Sequence, residues 1–142
     1  MPYATLQNLI DQFDEREVIA LADRDGDGVA DAAVVDYALQ RASNTIDAYL
    51  AARYPLPLTA VPEQLVDICC DITRYRLCGA GVTETEEVRN RYKDALTMLG
   101  QIRDGKLDIG LSVAGVAPAE SASVRIAGGG RTFTRDSLAD FK

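Results

Sequence analysis

The residues best suited to chemistry in this chain form one acidic run, Asp23-Arg24-Asp25-Gly26-Asp27-Gly28-Val29-Ala30-Asp31. Carboxylates at positions 1, 3 and 5, glycine at 6 and a carboxylate at 9 match the front of an EF-hand calcium loop. The alternation turns Asp23, Asp25 and Asp27 toward one centre. Glycine permits the sharp bend that presents the Val29 carbonyl, and Asp31 would ligate directly or through water. The back half departs from the pattern. Val34 stands where a bidentate glutamate belongs, Ala30 replaces a larger aliphatic residue, and Asp36 falls too late to substitute. A site short of its strongest ligand predicts weak or merely structural Ca2+ binding, near the upper end of the roughly 10⁻⁷ to 10⁻³ M span of such loops. The plainer alternative is a solvated Asp/Gly turn, with Asp31 as the N-cap of the helix that follows.

Other chemistry is poorly supplied. The chain has no histidine, which removes the usual general acid–base residue and any mixed Cys/His zinc site. Cys69, Cys70 and Cys78 are an odd set in one expected helix, read as reduced thiols packed as small hydrophobes. The vicinal pair has no basic neighbour in sequence close enough to lower its pKa. Gly128-Gly129-Gly130-Arg131 lacks the strand-to-helix context of a phosphate cradle. Glu84, Glu86 and Glu87 fall where a helix begins, and favour its dipole. No catalytic constellation emerges, so the expectation is a non-enzymatic part of an assembly.

The segments on either side of the acidic loop read as helices over the first hundred residues. Leu6, Leu9, Ile10 and Phe13 share one face of a short helix with Thr5 as N-cap, and a second helix is expected from about residue 15 to 21. After the loop, Val34, Val35, Ala38, Leu39, Ala42, Ile46, Tyr49 and Leu50 trace the inner face of a long helix. Tyr54-Pro55-Leu56-Pro57 stops it. A further helix begins near Pro62, carries Leu65, Ile68, Cys69, Ile72, Tyr75 and Leu77 inward, and closes at Gly79-Ala80-Gly81. Thr83 and Glu86 predict a capping box for a last helix built on Val88, Tyr92, Ala95, Leu96, Leu99 and Ile102, ending near Gly105. The predicted fold is all-α, a small bundle of four to five helices over residues 1–105.

Residues 106–142 differ in character. An apolar stretch broken by Gly110 and Gly115 leads to a linker-like Pro118–Ser123, and then to Val124-Arg125-Ile126 and Arg131-Thr132-Phe133 around three glycines. That pattern suits an extended or hairpin-forming C-terminal arm with too few large apolar residues for a core of its own. Val124, Ile126, Arg131, Phe133 and Leu138 are its candidate partner-binding residues, expected to order on another chain, with a disordered terminus as the plainer alternative. Charge divides along the same line. Residues 1–104 hold 10 Lys/Arg against 18 Asp/Glu, while residues 105–142 hold 5 against 4, giving −7 in total. An acidic body argues against binding nucleic acid by phosphate neutralisation. No apolar run approaches the roughly 20 residues of a membrane helix. The N-terminus also lacks a basic segment followed by an apolar one, so synthesis in a cytosol is expected.

Several stretches together resemble a neck protein family of Mu-like bacteriophages and prophages. They are Tyr3 to Phe13, Asp23 to Gly28, Ile46-Asp47-Ala48-Tyr49-Leu50, Arg53 to Leu58, Arg74-Tyr75-Arg76-Leu77 and Val88 to Ala95, within roughly residues 3–110. That family is similar to helical head–tail connectors, which ring the underside of a tailed-phage portal. The resemblance implies a head-completion or adaptor subunit at the virion neck, assembled in the bacterial host cytoplasm, with twelve copies around the DNA channel. Portal protein and stopper or tail-completion proteins would be its partners, and DNA would pass without specific binding. A calcium-responsive helical binding module is the competing expectation. Among the tyrosines, Tyr37, Tyr49, Tyr54, Tyr75 and Tyr92 are candidates for contacts between subunits, most of them expected at or near the core.

Overall fold

A computed structural model describes residues 1–79 and 84–111. Five helices follow one another: α1 (Leu6–Phe13), α2 (Glu15–Ala22), α3 (Ala32–Leu50), α4 (Glu63–Leu77) and α5 (Glu86–Arg103). Among the described residues there is no strand, and the fold is all-α as the apolar spacing predicts. The C-terminal arm, with Val124, Ile126, Arg131, Phe133 and Leu138, lies outside the described residues.

The centre of the bundle is α4, which packs most extensively on α3, then on α5 and α1. Val35, Ala38, Leu39, Ala42, Ile46 and Leu50 on α3 are all buried, recurring at the steps that place one stripe on a helix face. Leu65, Ile68, Cys69 and Ile72 meet that stripe from α4, and Leu99 and Ile102 complete the core from α5. Tyr54, just past α3, is only 2% exposed. It leaves the set of tyrosines available for contacts between subunits. Tyr37 is 66% exposed on α3, whereas Tyr75 and Tyr92 stack on each other with centroids 4.0 Å apart.

Helix ends follow local chemistry with two shifts from expectation. Thr5 caps α1 as predicted, and Asn8 returns the bond to the Thr5 amide, closing a capping box. The last helix is capped by Thr85, whose hydroxyl accepts from the Val88 amide, whereas the spacing pointed to Thr83, which lies outside the described residues. Starting there places Val88 inward, where it is 4% exposed, and brings Glu86 and Glu87 into the first turn. Asp31 does occupy the N-cap position of α3, but its side chain makes no capping bond. At the other end of α5, Gly105 sits at φ +77°, with its amide on Ile102 O and the Lys106 amide on Gln101 O. This is the left-handed helix stop that glycine favours. A Cβ at Gly105 would also collide with the Arg53 guanidinium. Packing continues past this stop, since Ile109 is buried and Leu107 and Leu111 lie against the core.

Among the described residues, one charged side chain is built into the interior. Arg74 on α4 is 8% exposed. It pairs with Glu17 of α2 at 2.5 Å and Glu87 of α5 at 3.3 Å, and lies 4.6 Å from the Phe13 ring centroid of α1. Arg91 covers the same ring at 5.3 Å and pairs with Asp71 at 2.9 Å. Four helices are thereby tied through two guanidiniums and one aromatic ring.

Candidate functional site

The acidic loop joins α2 to α3, and its base is closed by the Asp31 amide donating to Ala22 O at 3.3 Å. Inside it the carboxylates organise the backbone. Asp23 accepts from the Gly26 amide at 2.6 Å and, through its other oxygen, from the Gly28 amide at 2.9 Å. Asp25 accepts from the Asp27 amide at 3.1 Å, and Asp27 from the Val29 amide at 2.8 Å. Asp31 turns back to accept from the Arg24 amide at 3.0 Å, which explains why it does not cap α3. Gly26 and Gly28 adopt φ of +80° and +82°, a region other residues rarely enter, and so let the chain double back beneath Asp23.

This folding draws one oxygen each from Asp23, Asp25 and Asp27 to within 4.8 Å of one another. The spacing suits oxygens around a cation bound at about 2.3–2.6 Å. Asp31 and Asp36 do not join that group. Val29 is exposed, and Val34 packs against the core, so position 12 contributes nothing to a ligand set. The electrostatics agree with crowding. The Gly28 and Gly26 amides hold the Asp23 carboxyl below its ordinary range. For Asp25 the Asp27 amide pulls down, but repulsion from Asp27, Asp31 and Asp23, together with lost solvation, leaves its pKa raised. A calcium ion takes six to eight oxygens, so three side chains would leave water to supply much of the shell.

The thiols are the reverse of activated nucleophiles. Burial pushes Cys69 upward, and Cys70 up to about 12; Cys78 is half-buried and also raised by lost solvation.

A second charged surface is not singled out by the sequence reading. Glu63, Asp67 and Asp71 recur at four-residue steps on α4, and the groove they border also receives Asp11 from α1 and Asp94 from α5. The α4 stripe is a signal visible in sequence; the other two carboxylates join it only through tertiary packing. Burial raises the Asp71 carboxyl, against the opposing pull of Arg91.

Comparison with known proteins extends past the described residues. A family model described as bacteriophage Mu, Gp36 matches residues 3–127. Gene product J of Escherichia phage Mu is 39% identical over 112 residues, covering 78% of each chain. The Mu-like prophage FluMu protein gp36 of Haemophilus influenzae is 36% identical over 110 residues, covering 78% of this chain and 77% of its own.

Proposed function

The chain belongs to the bacteriophage Mu Gp36 family, and from that premise we propose that it is a structural virion protein, a head-completion or head–tail adaptor subunit. It would form a ring, of about twelve copies by the resemblance to connector subunits, below the portal of a tailed phage. The observation that supports this most is the combination of Mu-family membership with a five-helix body. A helical body is the architecture expected of a connector subunit. Its portal and stopper or tail-completion partners would be met by faces the monomer leaves open, and assembly would take place in the host cytoplasm. No helix among the described residues is long and apolar enough to cross a membrane.

The acidic body fits a channel through which DNA slides. Carboxylates facing phosphates repel at close range and oppose adhesion. Calcium enters this proposal as a structural ion. The loop is already held by five backbone amides donating to its own carboxylates, so a cation would stiffen the α2–α3 junction without creating a new arrangement. That geometry favours the adaptor over a calcium-responsive module, which needs a change in helix packing on filling.

Co-expression with the portal protein of the same phage tests the proposal. A stoichiometric ring bound to portal in negative-stain images is expected. A chain that ignores portal, stopper and tail-completion proteins alike in pull-downs would refute it.

A further inference from the structure

Two adjoining clefts of about 510 and 500 Å³ meet at Gln12 and Asp67, forming one groove between α1, α4 from Glu63 to Asp71 and the middle of α5. Its walls carry five carboxylates, from Asp11, Glu63, Asp67, Asp71 and Asp94, against the single guanidinium of Arg91. Arg91 is already committed to Asp71 at 2.9 Å. Between the acids lie apolar side chains left open to solvent, with Val61 46% and Met98 37% exposed. An occupant must therefore be cationic, with apolar residues interspersed. Phosphate-bearing ligands are repelled by the same walls.

The chain itself contains such a segment. Residues 124–135 carry Arg125, Arg131 and Arg135 with no carboxylate, and Val124, Ile126 and Phe133 fall between them. Arginine suits this role because its planar fork binds carboxylates in pairs of hydrogen bonds while its stem packs on apolar surface. The span from Leu111 to Val124 can reach about 40 Å when extended at roughly 3.3 Å per residue, enough to leave one body and arrive at the next. A closed ring needs two unlike patches on each subunit that match head to tail. We infer that the acidic groove of each subunit receives residues 124–135 of its neighbour. This inference rests on the ring proposed above and names the contact that would build it.

Disulfide trapping in the full chain, with Cys78 replaced by serine, tests the contact. One preparation carries Met98→Cys and the other Phe133→Cys. Mixed and oxidised, they should give an interchain cross-link well above either alone, and raising salt should diminish it. Asp67→Lys with Asp94→Lys should weaken self-association by roughly tenfold, as should Arg131→Glu with Arg135→Glu, and the four combined should restore it. The arm variant replaces no residue of the described helices, so it reports even if the groove variant misfolds. An absent cross-link, or indifference to both charge reversals, overturns the inference. So does a double-cysteine chain that closes on itself when dilute. Portal binding is measured on the same proteins. Rings that form regardless of the reversals would sink the groove contact and leave the adaptor standing, whereas wild-type chain that never binds portal would sink the adaptor.

Discussion

Replacing Arg74 with methionine keeps an unbranched apolar stem while removing the guanidinium, and the structure sets the size of the effect. The Arg74 side chain is 10% exposed and holds Glu17, whose side chain is 36% exposed, at 2.5 Å. Glu87 is 66% exposed at 3.3 Å, so water screens most of that pair. Stranding a carboxylate by breaking a fully buried pair costs about 3–5 kcal/mol, and Glu17's access to water discounts this to about 1–2 kcal/mol. Losing the cation over the Phe13 ring adds about 1 kcal/mol. A loss of about 2–3 kcal/mol in a body of this size should lower Tm by about 10 °C, at an unfolding entropy near 2.1 cal/mol/K per residue. Thermal denaturation followed by circular dichroism measures it. Glu17→Gln completes a double-mutant cycle, with an expected coupling of about 1 kcal/mol. If Arg74→Met melted within about 2 °C of wild type, the claim that this residue ties α2, α5 and α1 together would be wrong.

Three further outcomes follow from individual groups. Tyr3 donates its phenol to Asp47, and burial, followed by that carboxylate, pushes its pKa above the ordinary value near 10. A raised folded pKa stabilises below that value and is lost as pH rises through the folded one. Alkaline melting above about pH 10 should therefore erode wild type more steeply than Tyr3→Phe, with equal slopes contradicting this. Native protein should react with a thiol reagent at Cys78 alone, since Cys69 and Cys70 are buried and raised; rapid labelling of all three would refute the packing of α4. Calorimetric titration should find calcium binding in the upper micromolar to millimolar range, abolished by Asp25→Ala and without change in helical content. A cooperative helical transition would instead favour the responsive module.

The bundle was largely legible because its signal is local. Of the eight residues read as the inner face of α3, Val35, Ala38, Leu39, Ala42, Ile46 and Leu50 are buried, and Val34 and Tyr49 are partly buried against the core. Thr5 precedes an apolar face and caps it. The α5 start was less legible because Thr83 and Thr85 compete. Thr83 has the favoured glutamate three residues on, but burial of Val88 accompanies the later start. Asp31 likewise had two uses open to it, and the Arg24 amide engages the side chain that could have capped α3. Arg74 was illegible because its partners lie 57 and 13 residues away and only packing unites them. Within the loop, the oxygens of Asp23, Asp25 and Asp27 lie within 4.8 Å of one another, while Asp31 is held by the Arg24 amide, a turn geometry that spacing alone does not fix.

The adaptor role is tested most directly by electron microscopy of lysates from the encoding phage with this gene interrupted. Heads and finished tails should accumulate separately, and the intact gene supplied in trans should rejoin them. Complete particles at wild-type frequency, formed without this chain, would contradict the proposal.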